Sequence, residues 1–299
     1  MKPKSWQVGI ILTIGVFAVS TSAIFIRLAM AAAEKQSIGF SIFLAASRLS
    51  MAALILLPTW RKIKTTDVTA KTYYYAIAAG ICLAFHFAAW ISSLGFTSIA
   101  ASTTLVTSNP IWVALLSRFW FKEKLSRVTI LGIIIALVGG ITIALGNTNL
   151  ENSYSNPTLG NILALIGAWM ASLYLLLGSQ AQKQGLSVTN YIAIVYTTAA
   201  IILLPFPLLF GTNYLGYSDR VYLYILLMAL IPQLIGHTSF NWSLRWISPT
   251  FVTLSILFEP VVASFLGAIF FREVPSLAVL VGGAILLSGV AIATKSQYQ

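Results

Sequence analysis

The chain has 299 residues, 58% of them hydrophobic and only 8% charged, with a formal net charge of +11. Soluble domains carry about 25% charged residues, so this composition excludes an ordinary soluble fold and fits a chain immersed in lipid. Its one cysteine, Cys82, excludes a disulfide framework.

Apolar runs of roughly 20 residues, long enough to cross ~30 Å of hydrocarbon, follow one another along the whole length. They predict ten membrane-spanning helices, at 6–30, 38–59, 72–95, 100–121, 126–146, 158–180, 188–210, 220–245, 249–271 and 275–294. The first run, Val8 to Met30, exceeds the roughly 7–15-residue core of a signal peptide, so a retained span is expected. It carries a polar patch at Ser20 to Ser22, and Arg27 lies close enough to its end to snorkel, as does Arg118 in span four. Span two places Arg48 mid-helix among apolar neighbours. A cation at that depth needs a partner: the candidate is Glu259, or the carboxylate of an amino-acid-like cargo held by the guanidinium fork.

Span three holds His86 and Trp90, and span eight holds His237, Asn241 and Trp242. Each set offers a titratable ring and a stacking surface on one helix face, the chemistry of a cavity wall. Neither histidine has a ligand partner at close spacing, so no metal and no cofactor is expected. Span four opens on Ser102, Thr103, Thr104, Thr107, Ser108 and Asn109, followed by Pro110. That run is too polar to face lipid, although Ser and Thr can bond back to their own helix. Gly132, Ala136, Gly140 and Ala144 in span five, and Ala278, Gly282, Gly283 and Gly289 in span ten, are small-residue stripes. They suit close helix packing, within the chain or across a homodimer. Trp169 and Tyr174 in span six are candidate aromatic walls. Span nine carries Glu259 about midway, beside Pro260, whereas the other acidic residues lie in loops or at span ends. A carboxylate beside a loosened backbone can accept a proton, meet a cationic group or fix helix packing through an ion pair.

The basic residues explain the net charge without a nucleic-acid partner. Alternating through ten spans puts Lys2, Lys4, Arg61, Lys62, Lys64, Lys71, Lys122, Lys124, Arg127, Lys183, Arg245 and Lys295 on the N-terminal side. Lys35, Arg220 and Arg272 fall on the other. This bias predicts a multi-pass protein of the cell (inner) membrane with both termini cytoplasmic.

Residues 94–140 recur at 244–290, an offset of 150 positions. Asn109-Pro110 becomes Glu259-Pro260, Phe121-Lys122-Glu123 becomes Phe271-Arg272-Glu273, and Ser126, Gly132 and Gly139 become Ser276, Gly282 and Gly289. A five-helix unit copied in tandem has odd parity, so its second copy is inverted. Inverted repeats handle cargo where the halves meet near mid-bilayer. The expected fold is therefore all-α and integral to the membrane, ten helices as two inverted five-helix repeats. The first repeat would span 1–146 and the second 158–299, with 147–157 a polar periplasmic linker.

With these residues in hand, the chain resembles the drug/metabolite transporter superfamily, EamA type. The resemblance rests on Arg48 in Ala45-Ala46-Ser47-Arg48-Leu49, on Asn109-Pro110, on Lys122-Glu123-Lys124-Leu125-Ser126 and on Leu257-Phe258-Glu259-Pro260-Val261. Arg272-Glu273 departs from the Gly-Glu often found there. The resemblance implies a ten-span basket around a central cavity and export of amino acids or other small metabolites, with proton coupling open. A lipid or hydrophobic-drug translocase of the same fold is the alternative. An integral-membrane enzyme is remote: Asp67 and Asp219 sit in loops, and there is no His-Glu-x-x-His or Gly-x-Ser-x-Gly. No Gly-x-x-x-x-Gly-Lys run points to ATP as the driving force.

Overall fold

The computed structural model describes residues 3–61, 68–121, 126–146, 154–247 and 249–295. Most of the 147–157 linker, the Lys122 to Leu125 motif and the loop residues Lys62, Lys64 and Asp67 lie outside the described residues.

Among the described residues every regular element is helical. In chain order they are α1 Ser5–Ser20, α2 Ser22–Ala33, α3 Ile38–Ile55, α4 Leu57–Trp60, α5 Ala70–Ser93, α6 Ile99–Val106, α7 Asn109–Phe121 and α8 Arg127–Gly146. After the linker come α9 Pro157–Lys183, α10 Val188–Leu203, α11 Phe206–Leu209 and α12 Asp219–Met228. A π-helical segment Ala229–His237, α13 Thr238–Ser243, α14 Pro249–Ile256, α15 Glu259–Phe271 and α16 Leu277–Lys295 complete the chain. Seven helical stretches are long and apolar enough to cross a membrane, and α8, α15 and α16 hold shorter apolar segments. Helix starts follow capping chemistry: Ser37, Ser98 and Ser187 each accept a hydrogen bond from the backbone N–H three residues on. Asn156 does the same for Leu159, just before Pro157.

Polarity is arranged inside out. Trp6, Ile10, Ile14 and Phe17 of α1 face outward, whereas Arg48, Gln233 and Asn241 are fully buried. A soluble protein would reverse that pattern. Lipid solvates the apolar exterior, and the polar groups are left to satisfy one another.

Four spans are interrupted well inside their length, while spans two and seven break nearer their ends, at Leu56 and Leu204-Pro205. Span one breaks at Thr21, between α1 and α2; span four breaks at Thr107-Ser108, between α6 and α7. Span nine breaks at Leu257-Phe258, between α14 and α15, and span eight passes through the π segment around Pro232. Each of the four inner breaks has a local cause. Pro110, Pro260 and Pro232 remove an N–H and crowd the preceding turn, while Ser20 and Thr21 bond back to Val16 O and Ala18 O.

Helices α8 and α16 pack against each other through the expected small-residue stripes. A Cβ at Gly139 would strike the backbone of Leu286 and Gly282; a Cβ at its repeat mate Gly289 would strike that of Ala136 and Gly132. The contact is reciprocal, as a two-fold relation requires. The later residues of each helix meet the earlier residues of the other, so the pair runs antiparallel. The stripes thus serve contact within the chain. Gly289→Val is expected to cost about 1–3 kcal/mol by overpacking, read as a lower melting temperature in detergent. Gly9→Ala, where a Cβ meets nothing within 4 Å, serves as the unchanged control.

Candidate functional site

The interruptions converge. Thr107 and Asn109 from the span-four break, Glu259 from the span-nine break and Ser22 from the span-one break line one internal cavity. His86 and Trp90 of α5, Tyr174 of α9 and His237 at the end of the π segment complete its polar and aromatic wall. Val19, Val106, Ala171, Leu175, Phe240 and Ile256 supply apolar lining. The volume is about 40 Å³, room for roughly three waters.

Asn109 and Glu259 open α7 and α15, so two half-helix N-termini, each carrying partial positive charge, meet the cavity. With its amide turned to satisfy both neighbours, Asn109 donates to Val106 O at 2.6 Å and Ala168 O at 3.2 Å. It thereby satisfies carbonyls beside the break. Glu259 occupies the mate position, and the residue is 8% exposed.

His86 Nδ1 lies 2.9 Å from Gly167 O. A carbonyl only accepts, so Nδ1 carries the proton and Nε2 of the neutral ring is an acceptor. The ring is parallel to Trp90, with centroids 6.0 Å apart and planes at 9°, and its centroid is 6.4 Å from that of His237. The two histidines, distant in sequence, form one aromatic cluster with Phe87.

Arg48 does not line the cavity. It is fully buried behind it, donating from Nη1 to Ser22 Oγ at 2.9 Å and from Nη2 to Gln233 Oε1 at 3.0 Å. Its guanidinium lies 4.2 Å from the Phe87 ring centroid. Among the described residues it forms no ion pair with Glu259, so that candidate pairing is not seen. Each Nη gives one hydrogen to the protein and the residue is fully buried, so in this arrangement the fork is not open to a ligand either. Gln233, missed in the sequence, holds this arginine. Its signal was a lone amide beside Pro232 within an apolar run. The Gln233 carbonyl, loosened by the π segment, is 3.4 Å from the Tyr196 hydroxyl that donates to it.

Three further expectations need correction. Asn241 is buried one layer out, where its side-chain oxygen accepts from Tyr174 OH at 2.7 Å and its carbonyl accepts from Gln182 Nε2 at 3.0 Å. Trp242 sits beside Trp246, with ring centroids 6.0 Å apart, and does not reach the lining. Trp169 is 44% exposed on the outside of α9, where an indole meets lipid. Helical spacing placed these residues on the right elements but not on the right faces. The polar run of span four is buried as expected. Thr103 and Thr107 bond back to Ile99 O and Thr103 O, and Ser102 pairs with Ser93.

At the end of the bundle reached by α2, the two repeats are joined by charge. Arg27 Nη2 donates to Thr97 O at 2.6 Å, and Nη1 lies 3.9 Å from Glu273 Oε2. Glu273 Oε1 accepts the backbone N–H of Ile99, the first residue of α6, at 2.5 Å. The Tyr154 ring covers the guanidinium, with its centroid 5.2 Å from Cζ. Arg27 therefore does not snorkel.

The model of the EamA-like transporter family matches the chain twice, over residues 7–145 and 158–295. The chain belongs to this family. It is a multi-pass membrane transporter with a small-molecule substrate and lipid around it. The EamA-like chain is 26% identical to the Bacillus subtilis "Uncharacterized transporter YdfC" over 210 residues, 70% of this chain and 67% of that protein. It is 22% identical to an "Uncharacterized transporter" of Archaeoglobus fulgidus over 285 residues, 93% of this chain and 94% of the relative. A crystal structure with 17% identity superposes with a TM-score of 0.64 over 98% of each chain, a likeness of fold.

Tyr174→Phe in this EamA-like protein should cost about 1–3 kcal/mol, because it strips the partner from the buried Asn241 oxygen. Trp169→Phe should stay within about 0.5 kcal/mol of the parent. Thermal unfolding in detergent separates the two.

Proposed function

We propose that the chain is a secondary carrier exporting small metabolites such as amino acids across the cell (inner) membrane, with both termini cytoplasmic. In this reading, residues 1–146 and 158–299 form two inverted five-helix halves joined by the 147–157 linker, ten crossings in all. The reciprocal antiparallel contact of α8 with α16 supports the inversion. Glu259, His86, Trp90, Asn109, Thr107, His237 and Tyr174 handle the cargo, while Asn241 and Arg48 support that wall from behind.

The observation that carries this reading is the convergence of interrupted helices on one cavity that holds Glu259 and two histidines at the middle of long apolar stretches. Irregular backbone at membrane depth persists where it is enclosed or lines a cavity, and carriers place their sites at such discontinuities. The volume holds water, not a metabolite, so admitting cargo requires the bundle to open. The Arg27–Glu273 contact closes the end carrying Tyr154, and alternating access would open it in turn. Glu259 can carry a proton between the two states, and downhill movement without one is equally compatible with the fold.

A lipid or hydrophobic-drug translocase is the second reading. It is favoured by a groove of about 420 Å³ on the outer surface, lined by Leu12, Val16, Phe17, Phe258 and Val262. That groove opens to lipid, yet the polar cavity gives such cargo no use for a buried carboxylate. An enzyme is disfavoured because His86 Nδ1 is committed to a backbone carbonyl and not to a nucleophile.

Glu259→Gln is expected to reduce counterflow in proteoliposomes at least tenfold, and with it any dependence on a proton gradient. Wild-type rates in that variant would remove the carboxylate from the mechanism. Glu273→Gln is expected to loosen the Tyr154 end. In a Cys82→Ser background, Thr107→Cys should then react faster with an impermeant maleimide applied from that side. Equal labelling with and without the substitution would show that the ion pair is no gate.

A further inference from the structure

Arg48 is a fully buried cation with no acidic side chain within ion-pair distance among the described residues. Desolvating such a charge costs several kcal/mol. Two charged hydrogen bonds, to Ser22 and Gln233, and the Phe87 face offset much of that cost. The compensation is incomplete, since Arg48 Nε has no partner. A negative group arriving nearby would complete it.

The arginine has one route to the cavity. Ser22, the first residue of α2, lines the cavity and accepts from Arg48 Nη1. With one lone pair engaged by a cation, its own proton becomes a stronger donor, and Ser22 Oγ donates no hydrogen bond among the described residues. The neighbouring lining residue Trp90 is 3% exposed, and its Nε1–H likewise has no partner. Two donors that give no hydrogen bond thus belong to residues lining one cavity, backed by a cation that makes no ion pair among the described residues.

We propose that Ser22 and Trp90 are the specificity-determining residues that bind an anionic oxygen of the cargo, a carboxylate. Arg48 acts as a positioning residue that polarises Ser22 from behind. Glu259, in the same lining, takes the cargo's ammonium group. The inference rests on the carrier reading and narrows its substrate class to small amino acids held by both charged ends.

The test uses the full-length protein purified in detergent and, in parallel, reconstituted in proteoliposomes. The probes are the common L-amino acids, their carboxamides and the matched amines that lack the carboxylate. The expected result is that at least one amino acid binds by calorimetry and that its amine binds about 10- to 100-fold more weakly, the loss of one charged hydrogen bond. Ser22→Ala should erase that carboxylate preference, Ser22→Thr should keep it, and Arg48→Lys should fall between. A merely structural role for Ser22 would lower the melting temperature without changing the acid-to-amine ratio. The inference is overturned if the amines bind as well as the parent acids, if no amino acid binds, or if Ser22→Ala keeps the wild-type ratio. Should Ser22→Ala fail to fold, the acid and amine series on the wild-type protein still decides. If amines cross in counterflow as fast as acids, the carrier reading stands and this inference falls. If no solute crosses, the carrier reading itself falls.

Discussion

A polypeptide in hydrocarbon has nowhere to place an unpaired N–H or C=O except against itself. The chain is built around that constraint. Interrupting a helix frees backbone groups that lipid cannot satisfy, so the interruptions of spans one, four, eight and nine must be gathered into one enclosed region. Asn109 satisfies the carbonyls of Val106 and Ala168, Tyr196 and Thr238 reach the Gln233 carbonyl, and Ser20 and Thr21 bond back within their own turn. The cavity is what remains between broken helices that have no other way to pack.

The same constraint explains the placement of charge. Arg48 and Glu259 share one region without forming an ion pair, because Arg48 is turned toward Ser22 and Gln233. A closed pair would neutralise both groups and leave the cavity nothing to offer a charged solute. Held apart, the two groups are only partly satisfied, a condition that costs stability. At the bundle's end Arg27 and Glu273 do meet, and there their contact joins the two repeats.

Much of this was legible in the sequence because it depends on local chemistry. The seven long apolar stretches follow from run length, and the break before α15 from Pro260 after an acidic residue. The reciprocal packing of α8 and α16 follows from glycines at matched repeat positions. His86, Trp90, Thr107, Asn109, Tyr174, His237 and Glu259 all reach the cavity because each lies near a break or on the inward stripe of its helix. Trp169 and Trp242 were misjudged because an indole suits lipid and cavity equally, and only the rotation of its helix decides. Asn241 fell one layer short for the same reason. The Arg48–Gln233 contact joins residues 185 positions apart, across elements whose lateral order no pattern in the chain reveals.

Duplication copies sequence but not always its chemistry. The Ile99 amide that Glu273 grips has its counterpart at Pro249, a residue without an amide hydrogen. The second copy therefore lacks the amide hydrogen that this contact uses in the first. The two copies began alike and now differ in the chemistry they bring to this end of the bundle, so the duplicated halves are no longer interchangeable.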